Sequence, residues 1–188
     1  HRFAFGTCIT NTYMTNNSYK NFILNHYEWA VCENETKWTT NEPSQDSETY
    51  TTADNIYQWA NSNGIKFRGH CLFWEQLNQV QSWVQGLTYA TYPTPSNLLT
   101  EVDERIDSAV NHYKNKFHNW DVDNEMLPTG TGNEFYNRLG EGGRVHMFQR
   151  AKSIDPNCGM FMNEYSGNSF GGYDSGPYVA RATSLISM

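Results

Sequence analysis

No run of lysine or arginine, no long apolar stretch and no CxxC pair occurs in this sequence, and each absence removes a class of function. Nucleic-acid binding rests on clustered positive charge. With a formal net charge of −7, the chain offers no landing surface for phosphates, so no nucleic-acid partner is expected. A membrane-spanning helix needs about 20 successive apolar residues, and no segment approaches that, which predicts a soluble protein with no membrane partner. The four cysteines, Cys8, Cys32, Cys71 and Cys158, lack the spacing of the usual zinc and thioredoxin motifs. The first strand-like segment yields only Gly6 and no GxGxxG, so a dinucleotide-cradling loop is missing. A signal peptide is also missing, and the chain opens directly on the strand-like RFAFGTCIT, as a processed or trimmed product would.

Aromatic residues are plentiful. They make up 15% of the 188 residues, including six Trp and twelve Tyr, and such surface suits sugar rings as well as cores. The length fits one domain, residues 1–188, with a real hydrophobic core. Two glycosylation sequons, at Asn16-Asn17-Ser18 and Asn34-Glu35-Thr36, together with few lysines and an even cysteine count, predict a secreted, extracellular protein.

Hydrophobic periodicity alternates along the chain between strand and helix. Strands are expected at 3–10, 29–34, 65–74, 118–126 and 159–166. Helices are expected at 19–27, with Phe22, Ile23 and His26 on one face, and at 51–64, with Thr52 or Asp54 as cap. Further helices are expected at 96–117, 144–155 and from 176 onward. The third carries the clearest stripe: Leu98, Leu99, Val102, Ile106, Ala109, Val110 and Tyr113 follow the helical period. Five βα units in succession, without hairpin signals, predict an α/β fold with a parallel sheet, either a barrel or a doubly wound sheet. Polar and acidic groups at one strand end after another favour the (β/α)8 TIM barrel, in which those ends converge on one face.

The densest of these clusters is WDVDNEM at 120–126. Strict strand alternation would point Asp121, Asp123 and Glu125 the same way. Two readings fit: a solvated acidic turn, or a site in which neighbouring negative charge keeps one carboxyl protonated for acid chemistry. His70 similarly reads as a hydrogen-bonded core residue or, beside Trp74, as a sugar contact. A metal site from His70, Asp121 and Glu125 lacks any recognised ligand spacing, so no metal is expected. Trp29, Trp38, Trp59, Trp83 and Trp120 read as core or wall residues. Cys8, Cys32 and Cys71 fall on neighbouring strands; a disulfide among them is conceivable, but adjacent parallel strands rarely supply its geometry, which favours buried thiols.

CENETKW (32–38), RGHCLFWEQ (68–76), WDVDNEM (120–126) and FMNEYSGN (161–168) together resemble, in order and spacing, the glycoside hydrolase family 10 endo-xylanases. The form GHCLFWE looks more like the plant and animal branch, since the common microbial form usually has His where Glu75 stands. The resemblance implies a retaining hydrolase of β-1,4-xylan that needs no cofactor. It implies Glu125 as the general acid/base and Asn124 as the residue that bonds the 2-hydroxyl of the attacked sugar. It also implies Glu33, Asn34 and Lys37 as the grip on xylose rings, His70 and Trp74 as cleft lining, and Tyr165 as an aromatic on the leaving-group side. Asp121 and Asp123 would tune the acid/base, although the family usually carries a neutral residue at 123. A glycan on Asn34 would block this cleft, so Asn16 is the expected glycosylation site. The family's nucleophile, a Glu at the end of the seventh strand, is expected beyond Met188, with the rest of the barrel supplied by the same or another chain. The alternatives are a non-catalytic carbohydrate-binding or structural descendant, and the same chemistry on cellulose or β-glucan.

Overall fold

A computed structural model describes residues 3–127, 134–164 and 182–183. The order of elements is β1 (Gly6–Ile9), α1 (Asn17–His26), β2 (Trp29–Cys32), α2 (Trp38–Asn41), α3 (Thr51–Ser62), β3 (Lys66–Trp74), α4 (Ser82–Gln85), α5 (Asn97–His112), β4 (Asn119–Asn124), α6 (Glu134–Ile154) and β5 (Gly159–Asn163). The strands form one sheet in the order β1-β2-β3-β4-β5, with each neighbouring pair parallel. Parallel neighbours cannot be joined by a hairpin; each needs a crossover, and the intervening helices supply it.

The helices cover one face of this sheet. Phe67, Leu72, Phe73, Trp120 and Val122 from the strands meet Ile56 and Ala60 of α3, Val102, Ile106 and Ala109 of α5, and Leu139, Met147 and Ala151 of α6 in one buried cluster. All seven residues of the stripe expected for α5 pack into or against this cluster. Burying one Leu, Ile or Val side chain contributes roughly 1.5–3 kcal/mol, so this stripe is what fastens α5 to the sheet. Ser96 starts the helix by accepting the Leu99 amide hydrogen at Oγ, 3.3 Å away.

Several local expectations are corrected. Phe22 and His26 of α1 are exposed, and Ile23 alone of that trio is buried. Neither Thr52 nor Asp54 caps α3, whose N-cap is Tyr50 without a side-chain bond; Asp54 instead meets His112 Nε2 at 2.8 Å. The helix before β5 begins at Glu134, ten residues earlier than its periodicity suggests, because Gly140 (φ 73) joins two helical segments across a kink. The left-handed backbone there is one that glycine adopts without steric cost. The expectation of free thiols is met: all four cysteines are free, with Cys32, Cys71 and Cys158 buried and Cys8 exposed. The helix expected from 176 lies outside the described residues apart from 182–183.

β4 carries the change that matters most for function. Its register against β5 slips between Asp121 and Asp123, leaving Val122 as an extra residue, and β3 slips against β4 between His70 and Phe73. A bulge of this kind reverses the side-chain alternation beyond it.

Candidate active site

The bulge separates the three carboxylates that strict alternation would align. Asp121 faces the concave side of the sheet, where Oδ2 lies 2.9 Å from His70 Nδ1 and Oδ1 accepts from Arg68 Nε at 3.0 Å. Asp123 is fully buried on the helix side, its Oδ2 3.4 Å from Nε of Arg144 in α6. Glu125 follows the strand with φ 56, a left-handed conformation rare outside glycine and frequent where function imposes it. That turn carries its carboxylate to β3, where Oε2 accepts from Trp74 Nε1 at 2.8 Å. The premise for pKa tuning, three carboxylates crowded on one face, is therefore not met: Asp121 is paired with Arg68, and Asp123 stands behind the sheet.

Around Trp74 the other sequence-nominated groups assemble. Lys37 Nζ sits 4.6 Å from the Trp74 ring centroid and donates to Asn34 Oδ1 at 2.8 Å; the His70 and Trp74 rings lie 5.6 Å apart, edge to face. A cation over an indole face is attracted by the ring quadrupole, so Lys37 and Trp74 hold each other in place at the rim. Asn124 is buried, and its Oδ1 accepts from Asn163 Nδ2 of β5 at 2.7 Å. Glu33, His70 and Asp121, with Arg68 and Asn163, line a concavity of about 360 Å³ along the open face of the sheet.

The segment bearing Asn34 and Lys37 is tied down from beneath. Thr36 is buried; its hydroxyl donates to the His70 carbonyl at 2.6 Å and accepts from the His70 amide at 3.1 Å. Glu35 is nearly as buried and accepts from the Asn11 and Asn34 amides at 2.6 and 3.1 Å. Arg105 of α5 donates to the carbonyls of Thr36 and Cys71 at 2.8 and 3.4 Å, and to Asn41 Oδ1 at 3.1 Å.

Sequence reasoning missed Arg68, Arg105 and Arg144. The two helical arginines carry a signal nonetheless: Arg105 is in phase with Leu98, Val102 and Ala109, and Arg144 with Met147 and Ala151, so each lies on its helix's buried face. Asn16 lies apart from the cleft, exposed, with Oδ1 capping α1 through the amides of Ser18 and Tyr19. Tyr165 lies outside the described residues. Among the described residues, no group of three or more His, Cys, Asp or Glu side chains is placed to hold a metal ion.

The family model for glycosyl hydrolase family 10 matches residues 1–175. The chain belongs to that family. As a family 10 chain it is 49% identical over 163 residues to the anti-sigma-I factor RsgI6 of Acetivibrio thermocellus, covering 87% of this chain and 20% of that one. It is 38% identical over 163 residues to endo-1,4-beta-xylanase 1 of Arabidopsis thaliana, covering 87% and 16%, in keeping with its plant-like motif. Among solved structures, xylanase 10B from Thermotoga petrophila RKU-1 in complex with xylobiose superposes with a TM-score of 0.82 at 26% identity, covering 97% of this chain and 55% of that one. Xylanase XynB from Paenibacillus barcinonensis, complexed with a conduramine derivative, matches equally well at 0.82 and 26%, covering 98% and 56%. The five strands are thus the first βα units of a family 10 (β/α)8 barrel. The chain spans a fifth or less of these curated relatives and just over half of the solved barrels.

Proposed function

We propose that this protein is a secreted glycoside hydrolase that cleaves β-1,4-xylan by retaining double displacement, with Glu125 as acid first and base second. The observation that carries the reading is the Trp74–Glu125 hydrogen bond of 2.8 Å at adjacent strand ends. An indole N–H can only donate, so Oε2 stays an acceptor and the transferable proton resides on Oε1. In the first step that proton passes to the glycosidic oxygen as the bond from C1 to that oxygen breaks and C1 bonds to a nucleophilic carboxylate. In the second, Glu125 takes a proton from water as its oxygen attacks C1 and the enzyme ester departs. The nucleophile belongs to the seventh strand of the barrel, outside this chain.

Asn124, fixed by Asn163, bonds the 2-hydroxyl of the attacked sugar, while Glu33, Asn34, Lys37 and His70 grip rings along the cleft and Tyr165 serves the leaving-group side. Asn34 stays unglycosylated, since it stands beside Lys37 in the cleft and a glycan there would block the substrate; Asn16, exposed at the start of α1, carries any glycan. Secretion follows from the substrate, a polymer that does not enter cells.

The test is to follow xylohexaose cleavage by the whole protein with proton NMR. First appearance of the β-anomer, abolished in Glu125→Ala, is the expected result. Cleavage by Glu125→Ala at the rate of the unmodified protein, or first appearance of the α-anomer, would overturn the reading, and preference for cello-oligosaccharides would move the substrate to cellulose.

The 49% identical relative is named as an anti-sigma factor and not as a hydrolase, which favours as second reading a non-catalytic descendant of the barrel whose cleft binds carbohydrate without turning it over. Calorimetric binding of xylohexaose with no cleavage over days would establish it.

A further inference from the structure

Behind the cleft lies a charged cluster with no exposure to solvent. Glu75, the residue after Trp74, is fully buried. Its Oε1 accepts from Arg144 Nε at 2.6 Å, and its Oε2 accepts the Phe135 and Tyr136 amides at 2.8 and 3.4 Å, in the first turn of α6. Its backbone is bound as well: the Glu75 amide donates to the Asn124 carbonyl at 3.1 Å, and its carbonyl accepts from the Glu134 amide at 3.0 Å. Arg144 meets Asp123 at 3.4 Å, and its guanidinium lies 4.7 Å from the Tyr136 ring centroid.

A buried ion cluster is weak evidence for stability, because desolvation offsets most of the attraction and apolar residues of similar volume often serve as well. What this cluster fixes is position. Glu75 adjoins Trp74, and Asp123 is two residues before Glu125. The two members of the 2.8 Å hydrogen bond therefore sit on strand ends that share one arginine and are joined by the Glu75–Asn124 backbone bond, with the Glu75 end also fastened to the first turn of α6.

We infer that Glu75, Arg144 and Asp123 are positioning residues that hold Trp74 Nε1 against Glu125 and so orient the acid proton. The catalytic part of the inference rests on the function proposed above; the geometric part does not. General-acid help matters most for poor leaving groups, which gives a readout that a merely structural role would not move.

The experiment compares Glu75→Gln with the unmodified whole protein on an unactivated xylo-oligosaccharide and on 2,4-dinitrophenyl xylobioside. The expected result is a loss in kcat/KM about tenfold larger on the unactivated substrate, a part of the roughly 10²–10⁴-fold that a positioned acid contributes in full. Equal losses on both overturn the catalytic part. The triple variant Glu75→Gln, Asp123→Asn, Arg144→Met removes the charges together and is expected to regain melting temperature over Glu75→Gln without regaining the rate on the unactivated substrate; recovery of both together shows a purely structural cluster. Independently of turnover, the Trp74 indole resonance, assigned by its loss in Trp74→Phe, is expected to move toward a non-hydrogen-bonded position in Glu75→Gln. An unmoved resonance overturns the inference even where the protein proves to have no hydrolase activity, and a moved resonance in such an inactive protein supports the positioning role while rejecting the hydrolase reading alone.

Discussion

Asp121 and Asp123, two residues apart on one strand, work on opposite sides of the sheet: Asp121 bonds His70 at 2.9 Å in the cleft, and Asp123 faces Arg144 at 3.4 Å behind it. The extra residue Val122 between them makes this division possible. One carboxylate orients a cleft histidine and balances Arg68, and the other ties the strand to α6.

The division predicts different phenotypes for the two amide substitutions. Asp121→Asn removes a charge whose partner Arg68 is partly solvated, with 29% of its side chain exposed, so solvent screening holds the stability loss to about 1 kcal/mol. His70 loses its orienting partner, and kcat/KM on xylohexaose should fall roughly tenfold through misplacement. Asp123→Asn alters a contact sealed from water and should cost about 1–3 kcal/mol, with sugar affinity unchanged and any loss of rate confined to the acid step on unactivated substrates. Calorimetric melting and oligosaccharide kinetics on both variants check this; a larger melting-temperature loss in Asp121→Asn would contradict the assignment.

Gly69 on β3 leaves no room for any side chain. A Cβ there would stand 2.2 Å from the Trp120 ring, and Trp120 is itself only 1% exposed and hemmed by Phe117 and Tyr113. Overpacking of this kind costs about 1–3 kcal/mol or more. Gly69→Ala should therefore lower the melting temperature by several degrees, at roughly 2–4 °C per kcal/mol for a domain of this size. An unchanged melting curve would show that Trp120 moves aside freely.

Burial pushes the Cys158 thiol up from 9.0 to about 12, with Asp155 adding to the shift. The folded thiol therefore keeps its proton between those values while the unfolded one loses it. The stabilisation is complete below pH 9 and is lost as pH rises toward 12. Melting temperatures measured between pH 8 and 11.5, roughly the window set by that linkage, should fall less steeply in Cys158→Ala than in the unmodified protein; parallel curves would mean that the thiol titrates normally.

Much of this was legible in the residues themselves. The α5 stripe, the five strands and their parallel order follow from periodicity, because tertiary burial acts on the same faces that the pattern marks. Glu33, His70, Trp74 and Glu125 were legible as candidates because they are polar or aromatic toward strand ends, and Lys37 only through the family resemblance. The bulge at Val122 was not legible, since register is decided by pairing with β3 and β5 and not by local sequence. The first half of α6 was hidden by glycines that read as a break, and the buried arginines were hidden by their charge, which outweighs helical phase in a hydrophobicity pattern.

Arg105 shows what such a hidden residue does. It is 1% exposed and reaches from α5 under the sheet end to bond the carbonyls of Thr36 and Cys71, the first of which precedes Lys37 and the second of which follows His70. A lysine offers a single ammonium in place of a planar fork and cannot reproduce those directions. Arg105→Lys should leave at least one buried acceptor without its donor, a loss of about 1–3 kcal/mol, and should let the Asn34–Lys37 segment drift from Trp74. The kinetic signature expected is a raised KM for xylohexaose with kcat changed less, because ring gripping suffers before proton transfer does. A fall in kcat at constant KM would instead place the arginine's influence on Glu125.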